Sequence, residues 1–395
     1  MRRPRILLSG MLALALALPA AAHEGDDRRD DGGPRVHLTW MSIANWLFEL
    51  NDVRILMDGY FTRVPAPPFF FGGGGGLAFT QESFPIDVPM VLKVRSAIGA
   101  DDDRIDWVYT GHSHFDHSWD SPLWAALTGA QLIGSRTTCL QALAQNLPAE
   151  QCTEVLGGER IRFGRGVTGY VVRWNHSGNP ATNPEQHNPV ELTTAPMPDA
   201  VTGGFRAGVS EDYPNGGGGR MMLFVVERGG KQVSFFVNNS ASAVDLDVPI
   251  VVEGVNYGAP IDNLRRAMAQ AGLRSVDLWI GTGGLAVAQL VVPVLHPRAY
   301  IPNHWDGLFA PFLAGLPFPY SDPTLTAFLA SQGIPILPQT QYMDGYALGR
   351  DGVKRLDNSR LKAQLGFDVV QPFSAAQPFF AAGTSLPDDC EAFGH

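Results

Sequence analysis

The chain has 395 residues, 39 of them acidic and 29 basic, for a formal charge of −10. That balance argues against nucleic acid and anionic lipid as partners, because both are held by basic surface that displaces counterions. Hydrophobic residues make up 45%, enough for a large core, and three cysteines are too few for a disulfide-built scaffold.

The first 22 residues read as a secretory signal. Arg2, Arg3 and Arg5 form its positive end, Ile6 to Leu18 its apolar stretch, and Ala20-Ala21-Ala22 its cleavage site. The stretch is short for a bilayer span and no later run approaches one, so no stable membrane insertion is expected. A cleaved chain would be soluble in the periplasm or outside the cell. Residues 23–34 form a leader too polar to bury anything. No linker divides residues 35–395, which predicts one domain.

Strands are predicted at 36–40, 46–50 and 54–58, the last two joined by an Asn-Asp turn. Residues 64–88 form a first insertion, with Phe69, Phe70 and Phe71 ahead of five glycines. These phenylalanines fit either a substrate flap or a loop tucked against the core. A helix at 88–98 and a strand at 105–109 follow, then helices at 119–128 and 137–146 around a strand at 131–133. A strand at 167–174 leads into a second insertion, 178–218, rich in Asn, Pro and Gly. Strands at 221–227 and 232–237 make a hairpin; a helix at 260–271 and strands at 276–280 and 299–302 close the series. Hairpins followed by strand–helix units predict a layered α/β protein. Cys139 and Cys152, thirteen apart, are placed to pair in an oxidising compartment, leaving Cys390 free.

The densest chemistry lies just after the 105–109 strand, in Thr110-Gly111-His112-Ser113-His114-Phe115-Asp116-His117. Gly111 breaks the strand and puts the cluster on a loop, where a scaffold usually presents reactive groups. On extended backbone His112 and His114 project to one side, while Asp116 and His117 point differently and suit a second ion. Imidazole and carboxylate together suit zinc and related first-row metals. None of the cysteines has metal-site spacing.

His-x-His-x-Asp-His at a strand end, in a chain opening with hairpin strands, resembles the metallo-β-lactamase superfamily. Leu38-Thr39-Trp40 and Ile55-Leu56-Met57-Asp58 are similar to its opening strands, His176 in Arg-Trp-Asn-His-Ser to its third ligand, and Ile301-Pro302-Asn303-His304 to its late strand-end ligand. The resemblance spans about residues 36 to 345 and implies an αββα four-layer sandwich. It also implies that His112, His114 and His176 hold a first ion and that Asp116, His117 and His304 hold a second. His187 competes with His176 for its place. The family's bridging aspartate corresponds to Asn239, whose uncharged amide would weaken the second site, leaving Asp306 or Asp58 as substitute bridge or supporting carboxylate. A secreted or membrane-associated subgroup resembles this chain in its Ser240-Ala241, Gly283-Gly284-Leu285 and His304-Trp305-Asp306 segments.

The expected function is hydrolysis of a small molecule with one or two Zn2+ ions as cofactor and Asp116 passing the proton to the leaving group. Phe69, Phe70 and Phe71, with Trp305, Trp46 and Phe309 in or near the motifs, favour an apolar or acyl-bearing ester, lactone or amide. The alternatives are a phospholipid-type phosphodiester hydrolase and a metal-binding protein impaired in catalysis.

Overall fold

The computed structural model describes residues 32–64, 82–100, 104–181, 184–208, 212–214 and 218–367. The predicted signal, most of the leader, Phe69 to Phe71 and Cys390 lie outside the described residues. The strands are β1 (Val36–Ser42), β2 (Asn45–Leu50), β3 (Val53–Met57), β4 (Ser83–Phe84), β5 (Trp107–Tyr109), β6 (Gln131–Gly134), β7 (Cys152–Glu154), β8 (Arg160–Gly164), β9 (Val167–Trp174), β10 (Phe205–Arg206), β11 (Gly219–Arg228), β12 (Lys231–Val237), β13 (Val251–Val252), β14 (Val255–Asn256), β15 (Leu278–Gly281), β16 (Tyr300–Pro302), β17 (Asp344–Gly349) and β18 (Gly352–Leu356). The α-helices are α1 (Val88–Ala97), α2 (Phe115–Ser118), α3 (Ser121–Thr128), α4 (Arg136–Ala144), α5 (Pro184–His187), α6 (Pro260–Gln270), α7 (Leu285–Leu295), α8 (Pro323–Ser331) and α9 (Ser359–Leu365).

Eight strands form one sheet in the order β18-β17-β1-β2-β3-β5-β6-β7, and six form a second in the order β16-β15-β12-β11-β9-β8. Alternation along the strands explains why both sheets are covered on two sides. In β11, Met222, Phe224 and Val226 enter the core between the sheets, while Met221, Leu223 and Val225 face the cluster that includes α6 and α7. A strand buried on both faces reads as a continuous apolar run, as this one does. Phe48 of β2 crosses the gap, its ring 5.6 Å from Phe224 and 5.4 Å from Phe235 of β12. Truncating such a ring to alanine costs about 3–5 kcal/mol. Helices α6, α7 and α8 cover the six-stranded sheet; α3 and α4 lie on the parallel half of the other. The result is the expected helix–sheet–sheet–helix sandwich.

The predicted helix 119–128 is present as α3, starting two residues later at Ser121, and a separate short helix, α2, precedes it at Phe115–Ser118. Asp120 stands just ahead of α3, its carboxylate accepting from the Phe61 and Thr62 backbone N–H groups at 2.6 and 2.8 Å, and Pro122 lies in the first turn of α3. The sheet continues beyond residue 345, where the family resemblance ends: β17 pairs with β1 and β18 with β17. The two insertions meet, Phe84 of β4 pairing with Phe205 of β10. Cys139 of α4 and Cys152 of β7 form the expected disulfide, their Cα atoms 5.6 Å apart. Among the described residues no helix is long and apolar enough to cross a membrane.

Candidate metal centre

Loops leaving β3, β5, β9, β12 and β16 converge at one edge of the two sheets. They carry Asp58, residues 110–117, His176, Asn239 and His304 respectively. Gly111 permits the closest approach: a Cβ there would lie 2.2 Å from the Asn239 amide nitrogen. Three non-glycine residues at this edge are left-handed: Ile43 (φ 49°), Asp58 (φ 60°) and His304 (φ 56°). Such backbone costs on the order of 1–2 kcal/mol per residue and persists only where neighbours enforce it. Here Asp306 accepts from the Ile43 N–H with both oxygens, at 2.9 and 3.1 Å, and the His304 N–H donates to the Ile43 carbonyl.

The structure brings five histidines and Asp116 together. His112, His114 and His176 offer donor atoms within 4.8 Å of one another, and so do His112, Asp116 and His117. His176 Nε2 lies 3.1 Å from His112 Nε2, and His304 Nε2 lies 3.1 Å from His117 Nε2 and 2.9 Å from Asp116 Oδ2. All but His304 are buried; its side chain is 20% exposed, which places the mouth of the site on that side.

The groups behind the rings assign the protons. Asp58 Oδ2 is an acceptor, so it takes the Nδ1–H of His117 at 2.7 Å and the amide N–H of Asn239 at 2.9 Å. That orients the amide and turns its oxygen to His112 Nδ1, 3.1 Å away. The Ser177 carbonyl accepts from His176 Nδ1 at 2.7 Å. His112 and His176 therefore carry their protons on Nδ1, and their Nε2 lone pairs face each other at 3.1 Å. Two opposed lone pairs repel unless a cation stands among them. His114 Nε2 is also buried without a hydrogen-bond partner. The donor set fits a divalent metal, with imidazoles held in the ligating tautomer from behind.

Electrostatics agree. Burial, reinforced by neighbouring imidazoles, holds His112, His114 and His176 well below the ordinary histidine range, so each is neutral. Burial also opposes charge on His117, but Asp116 and Asp58 outweigh it and push that ring up to about 10. Asp116 is disfavoured as an anion by burial, yet His117 and His304 hold it well below the carboxylate range. His117 therefore carries a second proton at neutral pH, its ring held between Asp58 and Asp116.

Several sequence expectations are revised. Asn239, expected between two ions, lies behind the rings against the Nδ1 edges of His112 and His117, because Asp58 captures its amide. Asp306, a candidate bridge, is committed to Ile43. His187, the rival third ligand, pairs instead with Asp245 at 2.6 Å. Trp305, expected beside the substrate, is buried in the main core, stacked on Trp40 and donating to Gln339. Trp46 is also core, its indole N–H holding Asn303 just ahead of His304. Sequence reasoning missed Asp245, which links His187 to Asn175 beside His176; nothing local to Asp245 marks it. Phe115 of the motif packs into a buried aromatic cluster with Tyr60, Trp119, Phe205 and Tyr213, and part-exposed Phe309, singled out in the sequence, stacks on Phe115.

No protein-family model and no curated protein matches the chain. Solved structures do. A metallo hydrolase from Ignicoccus hospitalis matches at 14% identity, covering 80% of this chain and 99% of its own, with a TM-score of 0.44. An isothiocyanate hydrolase from Delia radicum gut bacteria matches at 13% identity over 78% and 98%, TM-score 0.42. CmlA, a diiron β-hydroxylase from Streptomyces venezuelae, matches at 12% identity over 81% and 54%, TM-score 0.40.

Proposed function

We propose that this chain is an exported metal-dependent hydrolase acting on an ester, lactone or amide of an apolar, acyl-bearing small molecule. The observation that carries the metal is the pair of facing Nε2 lone pairs on His112 and His176, fixed by Asn239 and Ser177 from behind. His112, His114 and His176 would hold one ion; Asp116, His117 and His304 would hold a second. A zinc-like ion so held lowers the pKa of water towards neutrality and polarises the scissile group. The hydrolytic class rests on the family resemblance of the motifs, together with this donor set.

Asp116 sits between His117 and His304 with one oxygen toward both, placed to pass a proton to a leaving group entering from the open side. Part-exposed Phe309, stacked on buried Phe115 next to Asp116 in the chain, would contact the acyl part. One domain spanning residues 35–395 and export by the N-terminal signal complete the proposal.

The test is turnover of p-nitrophenyl acyl esters, a lactone and bis(p-nitrophenyl) phosphate, each with added zinc and with excess chelator. Metal-dependent cleavage of ester or lactone is expected. Cleavage of the phosphodiester alone would refute the substrate class. Metal binding without turnover would leave a non-catalytic binding protein, and full activity in chelator would refute metal dependence.

A further inference from the structure

A cavity of about 90 Å³ opens where α6 passes β9, lined by none of the clustered histidines but by Gly158, Arg173, Tyr257, Asn263, Arg266 and Gln270 among others. Its walls carry two guanidinium groups, an unusual feature on a chain of net charge −10. Arg173 is 3% exposed. Its guanidinium lies 4.1 Å from the centre of the Tyr257 ring, and one terminal nitrogen donates to the Leu156 carbonyl at 3.2 Å. Its Nε is buried without a partner. Arg266, exposed at the rim, donates to Asn263, whose own amide nitrogen holds the Arg173 carbonyl at 3.0 Å.

Neither arginine touches a carboxylate among the described residues. The two acids near Arg173 are engaged elsewhere. Glu159 accepts from the backbone N–H groups of Leu156 and Gly157, and Glu191 pairs with Arg220 at 2.5 Å. Burial, followed by the Arg220 charge, brings the Arg173 guanidinium down to about 9. A buried cation without an anionic partner is costly, and a guanidinium presents several donors in a plane suited to an oxyanion. Tyr257 beneath Arg173 fixes that plane and leaves the cation attraction in place.

We propose that this cavity binds a small oxyanion, a phosphate or carboxylate group, between Arg173 and Arg266. Binding does not depend on the metal chemistry, so it is measured on metal-stripped protein, which also prevents phosphate from being held by bound ions. Titration calorimetry with inorganic phosphate and, separately, acetate at constant ionic strength separates the two anion types. One site per chain is expected for at least one of them. Because Arg173 is buried and its replacement threatens the fold, Arg266→Gln is the informative variant: the favoured anion should bind at least about tenfold more weakly. Binding undiminished by Arg266→Gln would place the anion elsewhere and overturn the proposal, as would the absence of binding by either anion in the wild type.

Discussion

Replacing Asn239 by aspartate tests how the histidines are held. The amide nitrogen lies 2.9 Å from Asp58 Oδ2, so the substitution sets two carboxylate oxygens at that distance in a site where both residues are buried. Two such charges repel by about 6 kcal/mol at an effective dielectric constant of about 20. Uptake of one proton limits the cost at neutral pH to about 4 kcal/mol, the gap between pH 7 and the ordinary aspartate range. The His117 imidazolium, 3.0 Å from the same nitrogen, offsets part of that cost, so metal-stripped Asn239→Asp should be about 1–3 kcal/mol less stable than wild type in chemical denaturation. Adding Asp58→Asn restores one amide facing one carboxylate, and the double variant should recover at least half of the loss. Stability within about 0.5 kcal/mol of wild type for Asn239→Asp, or a double variant whose losses simply add, would refute the hydrogen-bond assignment behind the rings.

Gly111→Ala places a methyl group 2.2 Å from the Asn239 amide and should displace it, lowering zinc affinity about tenfold to a hundredfold while the chain stays folded; calorimetric affinity equal to wild type would mean that Asn239 does not orient the ligands. His117, raised to about 10 when metal-free, stabilises the folded state fully below its unfolded value near 6.5 and loses that contribution as pH rises through 10. Metal-stripped protein should therefore lose stability across that window in denaturation series, and a His117→Gln variant should not show this loss. His114→Ala should abolish turnover and most bound metal, checked by elemental analysis beside the ester assay. The Cys139–Cys152 disulfide closes a short loop and should contribute about 3 kcal/mol. Denatured, unreduced protein should titrate as one thiol, and three would contradict the pairing.

How much was legible in the sequence depended on how local each signal is. The cluster from His112 to His117 is readable because its donors fall within one turn of loop and helix; His176 and His304 are readable because each follows a strand-like run by two residues. What stands behind them is not. Asn239 is 181 residues from Asp58 in sequence, and which way its amide faces depends on a contact that no local pattern encodes. Trp305 was misplaced for a related reason: its neighbour His304 reaches the site, while its own ring turns back onto Trp40 from the first strand. Helix α7 was missed because Leu285–Leu295 is apolar at every position but Gln289, so no 3.6-residue period stands out. Strand β17 takes its place from pairing with β1, some three hundred residues earlier, and its own alternation is weak.

The central claim is that this edge of the sandwich is a histidine-dominated metal site. X-ray absorption at the zinc edge, on protein loaded with zinc and freed of excess ion, tests it most directly. The expected spectrum is a first shell of nitrogen and oxygen with the multiple-scattering signature of imidazole and no sulfur, collapsing in intensity in a His112→Ala, His114→Ala double variant. A shell containing sulfur, or an imidazole signal unchanged in that variant, would contradict it.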